Sequence, residues 1–133
     1  MRLTRIKRLL GLLTCCVALC AATALPAEET GRVRLLVQSS PLAGSQFHAL
    51  EVWREKMRVG DVLTLVREPD NPYDAKAVRV EWQGHKLGYV PRRENRAVAA
   101  ALDAGEALTA RISRLRQDPD PWRRLEFEVW IEL

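Results

Sequence analysis

Alternation of apolar and polar positions dominates the second half of this chain. From Ala77 to Gln83, Val78, Val80 and Trp82 face one way, and Arg79, Glu81 and Gln83 the other. A period of two marks a strand with one face on a core. The stretch Arg124–Leu133 repeats the pattern: Leu125, Phe127, Val129, Ile131 and Leu133 point inward, with Trp130 on the opposite face. Between them, Ala107–Leu115 reads as a strand in which Ile112 and Leu115 break the period, which places a bulge near Ser113. Asp118-Pro119-Asp120-Pro121 joins these last two strands. Upstream, Val33, Leu35 and Val37 predict a first strand over Arg32–Gln38, and Ser39–Ser45 reads as a loop. Val62–Arg67 is apolar on both faces and reads as central, and Lys86–Val90 is a short strand after the turn Gln83-Gly84-His85.

Two segments have a different rhythm. Arg93–Ala104 carries Ala97, Val98, Ala101 and Leu102 as an apolar stripe after Pro91, with Gly105 as a stop, which predicts one helix. Phe47, Leu50 and Trp53 share helical spacing within Gln46–Met57, which predicts a short helix or turn. The pattern gives a mainly β domain with one helix and about six strands. Bulges are the usual means of curving such a sheet into a small barrel.

The first residues stand apart from this domain. Arg2, Arg5, Lys7 and Arg8 precede an apolar run from Leu9 to Ala22, and cleavage sites follow at Ala24 and Ala27. This predicts a signal peptide over 1–27 and a single domain over 28–133. The alternative, an uncleaved anchor, needs about 20 apolar residues, more than this run supplies. The expectation is therefore an exported protein, periplasmic or extracellular, without stable membrane insertion after cleavage. Cys15, Cys16 and Cys20 all lie in the removed segment, so the domain has no thiol for a disulfide, a nucleophile or a metal. Four of the 21 basic residues leave with it, so the net charge of +4 falls to neutral. A neutral domain meets a polyanion through a local patch, not through its overall field.

The chemistry gathers in two short stretches. In Arg67-Glu68-Pro69-Asp70-Asn71-Pro72-Tyr73-Asp74 the prolines restrict the backbone, and Asp70 and Asn71 favour local turns. A loop stiffened in this way can hold Tyr73 for stacking and Asp74 as a hydrogen-bond acceptor. It can equally use Tyr73 for packing and Asp74 to cap the next strand. Lys86-Leu87-Gly88-Tyr89-Val90-Pro91-Arg92 follows one strand later, and Arg92, Arg93 and Arg96 form a basic cluster or a solvated face. No catalytic constellation stands out. His48 and His85 lack a third ligand for zinc, His85 falls in a turn where it is solvated, and His48 lies beside Phe47. The serines have no nucleophile-elbow setting and there is no phosphate loop. No cofactor, metal or catalytic residue is predicted. Trp122 follows the proline-rich turn and is placed over the barrel end.

The run from Val62 to Leu102 resembles the HIRAN family. The matching features are Gly60-Asp61, Leu63-Thr64-Leu65-Val66, the loop ending Asn71-Pro72-Tyr73-Asp74, Ala77-Val78-Arg79-Val80 and Leu87-Gly88-Tyr89-Val90-Pro91. Gly44-Ser45-Gln46-Phe47 fits the family's early glycine-aromatic motif more loosely. The resemblance implies a modified OB-like barrel and a non-catalytic module that grips the 3′ end of single-stranded DNA. It implies that Tyr73 and Asp74 stack on the terminal base and hold the 3′-hydroxyl. Asn71 is then a polar groove position, Tyr89 a backbone contact and Arg92 a phosphate contact. The early motif departs from the DNA-binding members: Gln46 stands where they carry arginine, and Phe47 where they carry tyrosine. Phe47 still stacks, but Gln46 cannot neutralise a phosphate. The alternative is an exported envelope module that keeps the fold and recognises a protein or a glycan.

Overall fold

The computed structural model describes residues 31–133. The signal peptide expected over 1–27 lies outside the described residues. Six strands run in the order β1 (Arg34–Pro41), β2 (Val62–Glu68), β3 (Ala77–Trp82), β4 (His85–Tyr89), β5 (Leu108–Leu115) and β6 (Leu125–Glu132). Two helices accompany them, α1 (Leu50–Trp53) and α2 (Arg96–Asp103). All the strand pairs are antiparallel, and the sheet order is β1-β6-β5-β2-β3-β4. This is the mainly β architecture expected from the pattern and the OB-like arrangement that the family resemblance implies.

The sheet is open in order but curled in space. β2 turns the corner: Val62 and Leu63 pair with β5, whereas Thr64–Glu68 pair with β3. The curl brings the two edges together. Just past β1, Leu42 N–H donates to Leu125, and Ala43 exchanges two backbone hydrogen bonds of 2.9 Å with Tyr89 of β4. Gly88 makes this approach possible. A Cβ there would overlap the Ala43 carbonyl oxygen and lie 3.0 Å from Leu42 Cγ.

Three bulges supply the curvature. One falls at Ser113, between Ile112 and Arg114, where the broken period placed it. The others lie at Val37 in β1 and at Leu87 in β4. Bulges add local twist and bend the strand that carries them. Gln83 and Gly84 link β3 to β4 as a two-residue turn with φ of 47° and 81°. Positive φ at both central positions is the type I′ geometry that matches the twist of flanking strands.

The core is formed by the inward faces. Val78, Val80 and Trp82 are buried from β3, and Leu125, Phe127 and Val129 from β6. Val98 and Ala99 of α2 and Leu50 of α1 join the same buried cluster. Asp61 supports the entry to β2: its carboxylate accepts from Arg58 N–H at 2.9 Å and from the Trp82 indole at 3.0 Å.

Several expectations are corrected. β1 runs on to Pro41, because pairing with β6 continues through Ser39 and Ser40, where composition suggested a loop. α2 begins at Arg96, after a turn closed by Glu94 N–H on the Pro91 carbonyl, so Arg93 lies outside it. Its stop is as expected. Gly105 N–H bonds Leu102 and Glu106 N–H bonds Ala101, the paired bonds of a Schellman end. Ala97 is exposed and Ala99 buried. Leu133 is exposed, because it lies past the end of β6. His85 is not a solvated turn residue: it opens β4 and stacks on Trp53 with ring centroids 4.1 Å apart.

Candidate nucleic-acid groove

The closure between Ala43 and Tyr89 forms the floor of a groove of about 750 Å³. Its first wall is the turn that carries Phe47. Gly44 adopts φ 73°, and a single 3-10 turn over Ser45–Phe47 follows, closed by Phe47 N–H on the Gly44 carbonyl at 3.1 Å. Phe47 projects from this turn with 77% of its surface exposed. Gln46 is exposed on the same turn but does not line the groove. Phe47 is therefore separated from Leu50 and Trp53, with which it shares helical spacing; only those two pack inward.

The opposite wall is the loop between β2 and β3. Asn71 N–H bonds the Glu68 carbonyl, and the Asn71 side chain accepts from Tyr73 N–H at 2.9 Å. The Asp74 side chain accepts from Lys76 N–H at 2.9 Å, and its backbone carbonyl from Ala77 N–H at 3.0 Å. These side-chain turns are what Asn and Asp favour in such positions. Arg67 fastens the loop from beneath. Its guanidinium donates to the carbonyls of Ala77 (2.9 Å) and Ala75 (3.2 Å) and forks onto both oxygens of Asp103 in α2 (2.8 and 3.1 Å). The Arg67 hydrogen bond holds the Asp103 carboxyl below its ordinary pKa of 3.8. Tyr73 stands on this framework with 85% of its surface exposed.

Asp74 is placed both to cap the loop and to face the groove. Its second oxygen accepts 2.6 Å from the side-chain nitrogen of Asn95, a residue only 2% exposed at the start of α2. Each carboxylate oxygen thus accepts one internal bond, and a carboxylate has room for about four.

The floor comes from β4. Tyr89 accepts from Lys86 Nζ at 2.6 Å and donates to Glu68 at 2.8 Å, while the ammonium lies 4.5 Å from the Tyr89 ring centroid. Lys86 and Tyr89 are three apart, so a regular strand would put them on opposite faces. The bulge at Leu87 shifts the parity and aligns them. His48 meets the Tyr89 ring edge-on at 6.0 Å. Burial, and then the charge of Lys86, push the His48 pKa below its ordinary 6.5, so the imidazole is neutral at pH 7. Arg92, exposed after Pro91, closes the end of the groove.

The fold therefore brings together Phe47, Asn71, Tyr73, Asp74, Tyr89 and Arg92, and leaves Gln46 outside. The sequence reading missed Lys86 and Asn95. Leu87 and Val90, apolar at an odd spacing and both buried, were the available signal for the bulge that turns Lys86 inward. Asn95 had no local signal, since its partner is 21 residues away. Among the described residues, no group of three His, Cys, Asp or Glu side chains is placed to hold a metal. The groove offers aromatic faces, two cations and one fixed acceptor, which is equipment for binding.

Comparison with known proteins agrees with this architecture. A protein from Lactobacillus plantarum, known from a crystal structure, is 28% identical, with 77% of this chain and 98% of that one covered at a TM-score of 0.65. The HIRAN domain of human HLTF matches in fold at 16% identity, with 74% of this chain and 77% of that one covered at a TM-score of 0.52. No curated protein matches the chain. The family model described as HIRAN domain matches residues 35–133, through all six strands and both walls of the groove. The chain belongs to the HIRAN domain family, a family of nucleic-acid-binding modules.

Proposed function

We propose that the domain binds the end of a single nucleic-acid strand in this groove, without catalysis. The observation that carries the reading is the pair of exposed rings, Phe47 and Tyr73, on facing walls of one groove that also holds Lys86 and Arg92. Large apolar faces left in water at fixed positions are costly unless a ligand covers them. Bases supply flat faces for stacking, and the phosphates between them suit the two cations. Glu68 lies behind Tyr89 and Asp74 lines the wall, so the local field is only mildly positive. Stacking then carries more of the affinity than charge does. Asp74, held by Asn95 and Lys76, is the acceptor for a terminal 3′-hydroxyl, the role that the family resemblance implies.

The test is fluorescence anisotropy of labelled oligothymidylate, with the 3′ end free or phosphorylated. Tyr73→Ala is expected to weaken binding about 5- to 150-fold, the equivalent of roughly 1–3 kcal/mol for one stacked base. Asp74→Asn should weaken binding only to the free 3′ end. If the folded wild-type protein has no affinity for any strand at low salt, this reading is wrong. Recognition of an envelope protein or a glycan would then take its place.

A further inference from the structure

We propose that the free edge of β1 is a docking surface for a second copy of this chain, with the two β1 strands paired antiparallel about a two-fold axis at Leu35. Leu133 N–H donates to the Val33 carbonyl at 3.0 Å, whereas Glu132 N–H turns the other way, to Ala107 at 3.2 Å. Bonded and non-bonded pairs alternate along an antiparallel ladder. Val33 and Leu35 therefore direct their backbone groups at β6, and Arg34 and Leu36 point theirs outward. Among the described residues, no backbone group reaches these outward donors and acceptors.

The side chains at this edge stand in water. Val33, Leu35 and Leu133 share the inner face of the sheet with Phe127 and Val129. They lie beyond the core, however, and are exposed, Leu35 by 51%. Leu36 is 50% exposed on the outer face, opposite Trp130. Exposed apolar side chains beside unpaired strand groups are a template for another strand.

A second copy fits because this edge is complementary to itself. A two-fold pairing has to set inner face beside inner face, which puts the axis on a residue. An axis at Arg34 would oppose two guanidinium groups, a destabilising pair. An axis at Leu36 would run at once into the bulge at Val37. With the axis at Leu35, Arg34 and Leu36 each exchange both their free backbone bonds with the other residue of the second copy. Leu35 then faces its counterpart at about 4.5 Å between Cα atoms, the spacing of a non-bonded pair. Past the bulge, Arg32 comes opposite Ser39 of the second copy, whose neighbour on β6 is Glu128. Arg32 holds its own Glu132 only at 3.9 Å, with 78% of its side chain exposed. Among the described residues, Glu128 takes part in no ion pair. Arg32 and that Glu128 are two strand spacings apart, about 10 Å, which their side chains bridge. Opposite charges thus meet on both sides of the axis, and apolar side chains meet on it.

The contact is small, below the roughly 1,200 Å² at which standard interfaces begin, so the dimer is weak. Sedimentation velocity of the purified full chain should show a monomer–dimer equilibrium with a Kd between about 10 μM and 1 mM. Amide hydrogen exchange should show Arg34 and Leu36 gaining protection as the concentration rises. Leu35→Lys places two ammonium groups on the axis and should weaken the dimer about 10-fold or more. Leu36→Pro removes one edge donor from each copy and should weaken it about 5- to 150-fold. The Leu36→Pro monomer should melt nearly as before, because that N–H faces solvent. Arg32→Glu should also weaken the dimer, and adding Glu128→Arg should restore it. A monomer at every concentration overturns the proposal, as does a dimer indifferent to Leu35→Lys, or a charge reversal that the second exchange does not rescue. Edge amides protected even at high dilution would mean that another part of the chain covers β1, and that too overturns it.

Discussion

Gly88→Ala tests the closure on which the groove rests. The added methyl would run into the Ala43 carbonyl oxygen and lie 3.0 and 3.2 Å from Leu42 Cγ and Cδ1. Backbone cannot give way as a side-chain tip can. Carbon and oxygen settle at about 3.3–3.6 Å, so the two segments must part by on the order of 1 Å. That movement breaks both Ala43–Tyr89 hydrogen bonds, worth about 0.5–1.5 kcal/mol each in net terms. Crowding against Leu42, itself 1% exposed, adds about 1–3 kcal/mol. The total is about 2–6 kcal/mol, which for a domain of this size lowers the melting temperature by roughly 10 °C or more. Gly84→Ala is the control. Gly84 also has a positive φ, of 81°, but nothing lies within 4 Å of its Cβ position, so only the conformational cost of about 1–2 kcal/mol applies. Thermal unfolding followed by circular dichroism reads both variants. The reasoning fails if Gly88→Ala melts at or above the temperature of Gly84→Ala. A Gly88→Ala protein that remains folded should also lose strand binding, because Ala43, Gly44 and Tyr89 form the floor that has moved.

Two further outcomes are expected. Asn95→Ala removes the buried donor to Asp74, which should cost about 1–3 kcal/mol in urea unfolding and also erase the preference for a free 3′ end; an unchanged end preference would show that Asp74 needs no such support. Strand affinity should strengthen as pH falls below 6.5, because protonated His48 adds a cation beside Lys86, and His48→Gln should flatten the profile. The same protonation opposes folding: a depressed folded-state pKa gives stability that is present above 6.5 and lost as pH falls through the lowered value, so titrations belong where the protein is still folded.

Much of this was legible because strands with one buried face announce themselves. Val78, Val80 and Trp82, and Leu125, Phe127 and Val129, alternate without interruption, and all six are buried. The bulge at Ser113 was visible for the same reason, since Ile112 and Leu115 cannot both obey a period of two. What escaped depends on pairing between distant segments. Ser39 and Ser40 look like loop residues, yet they are strand because β6 lies beside them. Leu133 continues the apolar alternation but lies past the last paired residue. His85 looked solvated because its stacking partner Trp53 lies 32 residues upstream, a separation no local window sees. In the groove, the side-chain turn at Asn71 was foreseen from its residue type, but the fastening by Arg67 needed Asp103 to be brought alongside.

That fastening bears on how fast a ligand comes and goes. Arg67 links the carbonyls of Ala75 in the loop and Ala77 at the start of β3 to Asp103 of α2, so the wall carrying Tyr73 and Asp74 is set when the domain folds. A mobile wall would have to close around each incoming strand, slowing capture and charging its ordering entropy to every encounter. A strand bound as proposed would meet a finished surface. Capture should therefore proceed at one similar rate for different short strands, with preferences among them written in residence time. The empty and occupied domains should superpose to within about 1 Å along the backbone of the loop. With Arg67→Ala the association rate itself should become slow and should differ from one strand to another.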